Sequence, residues 1–445
     1  MKESMKIQIA ISALFLTVSS LSYGQAAPAG VAAIAVSPAS PTLPTLDGVL
    51  HYALSASEVV QLGYYGAGDV TSSSAISGDV AYSGKSTARP FSLLFAGGVL
   101  LPNQGGQGVS TFWNAAVSQG YVTRKWVFNV SDSFSFLPES PTTGLSGIAG
   151  VGDLGATPVS GPVVGPAGGV FSVAGNRISN YLGGSVERQL NHDTSISGSG
   201  SWGTLHFLDD NASELGLDSD QYSGVVSLNH RIDQRSTVAV NAVYSEFVYS
   251  GSGALQSEPD FQSRGLNLSY SRVLSRSLNV SASVGPQWVS SSNSALIPTS
   301  LDVAVSASLS YSRRYTNASL TYTRGVNSGS GVLPGALSDS VMGGIGRAYG
   351  RNWVVSLDAA YTHTSGLTVF GIASGTPTNE AFNTVYGGGQ VTRRISSTFS
   401  GYVSYTAQHQ SSSNQLFVQN ALNGSSQTFG IGITYSPRST RLGQF

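Results

Sequence analysis

The chain has 445 residues and a net charge of −1, from 22 Lys and Arg against 23 Asp and Glu. Only 10% of residues are charged, where a soluble domain carries about 25%. A surface of Lys and Glu facing water is therefore excluded, and no basic excess recruits nucleic acid. Cysteine is absent, which removes disulfides, thiolate-bound zinc and a thiol nucleophile.

The first segment reads as an export signal over residues 1–24. Lys2 and Lys6 precede a mostly apolar run, Ile7–Val18, and small and polar residues follow as SSLSYGQ. Ser22 and Gly24 then flank a cleavage point before Gln25. A run of about 12 residues is too short to span a bilayer as a helix. Residues 25–48 are rich in Pro and Ala without periodicity and read as a flexible periplasmic lead-in.

From Val49 onward, apolar and polar residues alternate. This period predicts strands over 50–65, 75–83, 90–99, 109–119, 123–136, 177–189, 194–207, 220–231 and 236–249. Further strands are predicted over 261–273, 276–290, 301–313, 317–325, 339–348, 352–364, 381–394, 397–409 and 426–436. The unit repeats. Arginines near strand ends fall at 188, 231, 272, 313, 347 and 393, with gaps of 43, 41, 41, 34 and 46 residues. Each repeat is a hairpin with a tight, basic turn, and the opposite connections are longer and variable. Short turns at one rim and long loops at the other mark a transmembrane β-barrel.

The faces carry the same message. In Leu278–Gly285, Leu278, Val280, Ala282 and Val284 share one parity, and Asn279, Ser281, Ser283 and Gly285 share the other. The polar set is small and neutral, where a soluble surface would carry charge. Trp353, Tyr361, Tyr270, Trp288, Tyr311, Tyr405 and Tyr435 stand near strand ends on the apolar parity. About 18 strands would enclose a lumen too wide for side chains to fill. The predicted fold is all-β: one antiparallel up-and-down barrel of about 18 strands, or 16 if the first hairpin is outside the wall. Asp79, Asn279, Ser281, Ser283 and Asp358 are expected to line the pore. Glu187, Arg231, Arg314 and Arg394 fall near the short-turn rim with their direction unfixed. Asp132 has the parity of Trp126, Phe128 and Phe134, a costly place for a charge in lipid, which a bulge or a wall contact with another barrel would explain.

On these residues the chain resembles bacterial outer-membrane β-barrels of the porin-like class, over Val49–Phe445. The closing strand TFGIGITY, Thr428–Tyr435, resembles the assembly signal of that class in Gly430, Ile433 and Tyr435. The chain ends in Phe445, but SPRSTRLGQF intervenes, so either a ten-residue tail trails into the periplasm or the signal is split, with the strand carrying it over the tail. The resemblance implies an outer-membrane channel, with partners in outer-membrane lipid, the barrel-assembly machinery during insertion and, optionally, further copies of itself. It implies no cofactor or metal. It also points to Leu137–Asn176, whose only charges are Glu139 and Asp153, as a loop that either folds inward as the constriction or stays outside.

Other motifs are discounted. GVGDLG at 150–155 lacks the strand and helix a dinucleotide site needs. GDVAYSGKS at 78–86 misses the phosphate-loop spacing by one residue. His51, His192, His206, His230, His363 and His409 are scattered. A barrel hydrolase, the second rival after a closed barrel with a surface-binding role, would need a clustered His, Ser and acid at the outer rim.

Overall fold

A computed structural model describes residues 49–63, 70–84, 86–103, 109–137, 177–208, 218–250, 260–329, 333–368, 380–413, 423–437 and 440–441. The wall strands in chain order are β1 (Val49–Gly63), β2 (Val70–Ser83), β3 (Phe91–Pro102), β4 (Ser110–Val122), β5 (Trp126–Leu137) and β6 (Arg177–Gln189). They continue as β7 (Thr194–Phe207), β8 (Asp218–Arg231), β9 (Ser236–Ser250), β10 (Phe261–Ser275), β11 (Leu278–Ser291) and β12 (Ser300–Arg313). The last are β13 (Thr316–Asn327), β14 (Ala336–Tyr349), β15 (Trp353–Gly366), β16 (Ala381–Arg394), β17 (Phe399–Ser412) and β18 (Gly424–Tyr435).

Every strand pairs antiparallel with its neighbour in sequence, and β18 returns to β1 from Leu54↔Tyr435 to Gly63↔Ser426. The sheet is a closed barrel of 18 strands. The count of 16 is excluded, because β1 and β2 pair continuously from Val49↔Ser83 to Leu62↔Val70. β2 begins five residues before its predicted start. Thr71–Ser74 are polar on both parities and hide the alternation, and the ladder to β1 supplies the order. The tail also departs from expectation. After Tyr435, Ser436 N donates to Thr398 O at 2.7 Å, and Thr440–Arg441 (β19) resumes pairing with Leu50 and Val49.

Alternation fixes the two faces. On the outward parity, Leu268, Val284, Leu357 and Ile431 are 50–60% exposed. On the inward parity, Asn267, Ser283 and Thr434 are buried by their neighbours in the wall. Inward glycines make room for inward rings. A Cβ on Gly432 would lie 2.5 Å from the Tyr402 hydroxyl, and one on Gly98 would lie 2.7 Å from the ring tip of Phe112. A ring laid over a strand glycine covers backbone that would otherwise pack against nothing. Short turns cap the rim where strands such as β8 and β9 meet. At one, Arg235 N donates to Asp233 at 2.6 Å, and this bond is the main reason that carboxyl sits below its ordinary range.

The opposite rim is not simply open. β12 pairs with β13 only from Val305↔Arg324 downward, and among the described residues Ser300–Val303 pair with β11 alone. The upper ends of β13 and β14 turn inward over β11 and β10. Tyr249 Oη donates to Ser328 O at 3.1 Å, and Val326 N donates to Gln287 Oε1 at 3.4 Å. Phe247, Tyr249, Phe261, Val289, Ile297 and Val326 form one buried apolar cluster there, flanked by Leu296, Leu337 and Leu367. The rings of Phe247 and Phe261 stack at 4.5 Å.

Wall packing sets a first prediction. A Cβ on Gly285 would overlap the Leu266 carbonyl oxygen and the Asn267 side chain, whereas one on Gly387 would meet nothing nearer than Asp358 O at 4.0 Å. Gly285→Val should destabilise the barrel by at least about 1–3 kcal/mol, and Gly387→Ala should leave it near wild type. Urea midpoints of the refolded protein in vesicles measure both. Equal midpoints for the two variants would mean that β10 and β11 do not approach as closely as stated.

Candidate functional site

The inward face is a ladder of small hydroxyl and amide rungs. Ser281 Oγ meets Ser308 Oγ at 2.7 Å, and Ser55 Oγ meets Thr434 Oγ1 at 3.0 Å. Gln287 Nε2 donates to Ser263 Oγ at 2.7 Å, and Asn241 Nδ2 to Ser269 Oγ at 2.6 Å. Cross-strand pairs of this kind stabilise a sheet by a few tenths to about 1 kcal/mol each. These short side chains hydrogen-bond their neighbours and leave little length to project across the lumen.

Asp79, Ser281, Ser283, Asn279 and Asp358 all lie on this inward parity. Asp79 is buried, with Ala53 and Ala96 as its cross-strand partners. Asp358 shares a hydrogen bond with the Tyr386 hydroxyl. Gly388 leaves room for that pair: a Cβ there would stand 2.7 Å from Tyr386 Oη and 3.1 Å from Asp358 Oδ2. Asp302 was not singled out by sequence, yet it is inward, opposite Gln287, and accepts from Ser300 Oγ at 3.1 Å. Its alternation with Leu301 and Val303 was the available signal. Glu139 and Asp153, with the rest of the loop to Asn176, fall outside the described residues, as do 1–24 and 25–48.

The apolar cluster at the mouth corrects one step of the sequence argument. Inward positions were expected to be polar throughout, because a wide lumen offers apolar groups no partner. The inturned ends of β13 and β14 and the 292–299 turn provide that partner. Phe247 and Phe261 do break the alternation, standing on the parity of Ser245 and Ser263.

Outside, the wall changes character with height. At the short-turn rim, guanidiniums lie over exposed aromatic rings: Arg188 over Trp126, Arg347 over Tyr349 and Arg393 over Trp353 each at 5.1 Å, Arg314 over Tyr315 at 4.9 Å and Arg89 over Tyr121 at 5.6 Å. Such pairs are worth about 0.5–1 kcal/mol when exposed. Trp126↔Arg188 and Trp353↔Arg393 are direct register partners. Glu187, Arg231 and Arg394 point inward at this rim, while Arg314 sits in the turn. Asp132 does face outward, in an uninterrupted register opposite Leu182, and Asn180 Nδ2 donates to it at 3.0 Å. No bulge turns it away; an amide neighbour satisfies it.

An exposed apolar band around a closed wall, flanked by aromatic rings, defines a bacterial outer-membrane β-barrel of porin-like architecture. No protein-family model and no curated protein matches the chain. Among solved structures, the outer membrane protein OpdK of Pseudomonas aeruginosa is similar at 10% identity and a TM-score of 0.44, over 88% of this chain and 99% of that one. Pseudomonas aeruginosa OccK2 (OpdF) is similar at 11% identity and 0.41, over 88% and 98%. The FrpB iron transporter of Neisseria meningitidis (F3-3 variant) is similar at 6% and 0.42, over 88% and 82%.

Single cysteines test the faces. Cysteine at 279, 281 or 283 should react with a water-soluble maleimide in intact vesicles, and cysteine at 278, 280 or 284 should not. The reverse labelling would overturn the assignment of β11.

Proposed function

We propose that the protein is a passive outer-membrane channel for small, neutral hydrophilic solutes, with selection by size. The observation that supports this reading is the inward face itself: Ser, Asn, Gln and Gly rungs with few carboxylates, held in a closed wall of 18 strands. A lumen without rings of like charge gives ions no strong selectivity. Asp79, Asn279, Ser281, Ser283 and Asp358 are its proposed lining. The inturned ends of β13 and β14 narrow one side of the mouth, and Leu137–Asn176, with Glu139 and Asp153, remains the proposed constriction loop.

A second reading has one observation in its favour. The apolar cluster under the mouth is the kind of packing a closed barrel would use, and such a barrel would act through its surface loops. Conductance in planar bilayers separates the two. The wild-type protein should give stable ohmic steps. Deleting Gly329–Pro334, or Ser146–Gly168, should enlarge those steps and admit larger neutral sugars in liposome swelling. A wild type that is silent until one of these segments is removed would establish the closed barrel instead.

A further inference from the structure

His363 and Ser365 are two residues apart on β15, so both project from its outward face. Asn383, on β16, is the direct register partner of His363. His363 Nδ1 lies 2.8 Å from Asn383 Oδ1, and His363 Nε2 lies 3.3 Å from Ser365 Oγ. An amide oxygen only accepts, so Nδ1 carries the proton and Nε2 presents its lone pair to the serine hydroxyl. The Tyr361 hydroxyl donates to the same Asn383 Oδ1 at 3.1 Å, which holds the amide with its oxygen toward the imidazole. On the other side of His363, its register partner Asp339 is held by Tyr322 Oη at 2.9 Å and Arg324 at 2.6 Å.

We propose that Ser365, His363 and Asn383 form a serine hydrolase site on the outer surface of the barrel, directed at acyl esters of membrane lipids. Nucleophile, base and orienting group stand in the order such catalysis requires. The Ser–His separation is that of a site that tightens when substrate docks. Height selects the substrate. From Trp353 to His363 a strand tilted by about 40° climbs about 25 Å, the height of an outward apolar band. The imidazole therefore stands at the outer edge of the acyl layer, where the ester bonds of lipids lie. Exposed Tyr361, Val385 and Leu357 below it offer an apolar surface for the acyl chain.

The chemistry balances with lipid and water alone. Ser365 Oγ attacks the ester carbonyl while Nε2 takes its proton, and Asn383 keeps the imidazole oriented. The tetrahedral adduct collapses, the ester C–O bond breaks, and the lipid alkoxide leaves with the proton from Nε2. Water then attacks the acyl-serine with Nε2 again as base, releasing the fatty acid and restoring Ser365. This activity is independent of the channel reading, because the site faces away from the lumen. Thr364, between the two catalytic residues, is the one that points inward and is fully buried.

The test uses the full chain refolded in phosphatidylglycerol and phosphatidylethanolamine vesicles, with heat-modifiable migration as the check on folding. A fluorophosphonate probe should label Ser365, located by peptide mass spectrometry, and fatty acid should be released from the vesicles. Ser365→Ala and His363→Ala should each lose release by at least about 10³-fold, and Asn383→Ala should also lower release, by no more than either of these. Tyr361→Phe, which keeps the ring and loses the hydroxyl, should lower kcat and leave conductance unchanged. Folded wild type that neither labels at Ser365 nor releases fatty acid would overturn the proposal and identify a polar patch resting among headgroups. Release that persists in Ser365→Ala would overturn it equally.

Discussion

A bilayer offers no water to an unpaired amide, so every backbone N–H and C=O in the span must find its partner in the wall. That constraint closes β18 onto β1, and the rest of the architecture follows from closure. A sheet without edges has one convex and one concave face. The two-residue repeat of each strand then assigns every side chain to one or the other. Pairing runs nearly full length around the barrel, and it is relaxed at the outer end of β12, beside the point where β13 bends away. That bend carries polar backbone into the mouth, where the side chains of Tyr249, Gln287 and Asn327 take up its hydrogen bonds.

The low charge of the sequence is a consequence of the same geometry. A charged group on the convex face costs most at the middle of the bilayer and little at its edges. Arginine accordingly collects at the short-turn rim, where its stem lies along apolar surface and its guanidinium rests on an aromatic ring. Among the outward acids, Glu58, Asp132 and Asp339 are each held by neighbours, Ser74 and Asn103 for the first, Asn180 for the second and Tyr322 with Arg324 for the third. The concave face carries few charges for a different reason. Cross-strand hydroxyl and amide pairs satisfy one another there, and a long charged chain would find no partner in that row.

Strand number, order and facing were legible because period two is a local signal, repeated in every hairpin. Leu278–Gly285 alone distinguishes the two faces. The cap at the mouth was harder to read. Phe247 and Phe261 interrupt the alternation visibly, but the residues that cover them, Ile297 and Val326, lie in a turn and at a strand end, where periodicity carries no information. The three side chains around His363 were out of reach for another reason. His363 and Ser365 are readable as one face of β15, yet their apposition to Asn383 depends on the register across a 14-residue connection, and connection length does not set register in a loop of that size. The tail after Tyr435 likewise returns to the ladder through a pairing with β1 that no local pattern announces.

The structure consequently separates two chemistries on single strands. β15 presents Asp358 to the lumen beside Tyr386, and His363 with Ser365 to the outer surface. Neighbours in sequence are thus strangers in environment, one set meeting lumen water and the other meeting lipid. Because a one-residue slip would exchange these environments for the whole strand, the register that keeps Leu357 and Tyr361 against lipid also holds both sets in place. Selection on one face leaves the other free to vary, since side chains of opposite parity share backbone but few contacts. A barrel can in this way carry one set of polar groups in its lumen and another at its outer rim without either constraining the other's residues.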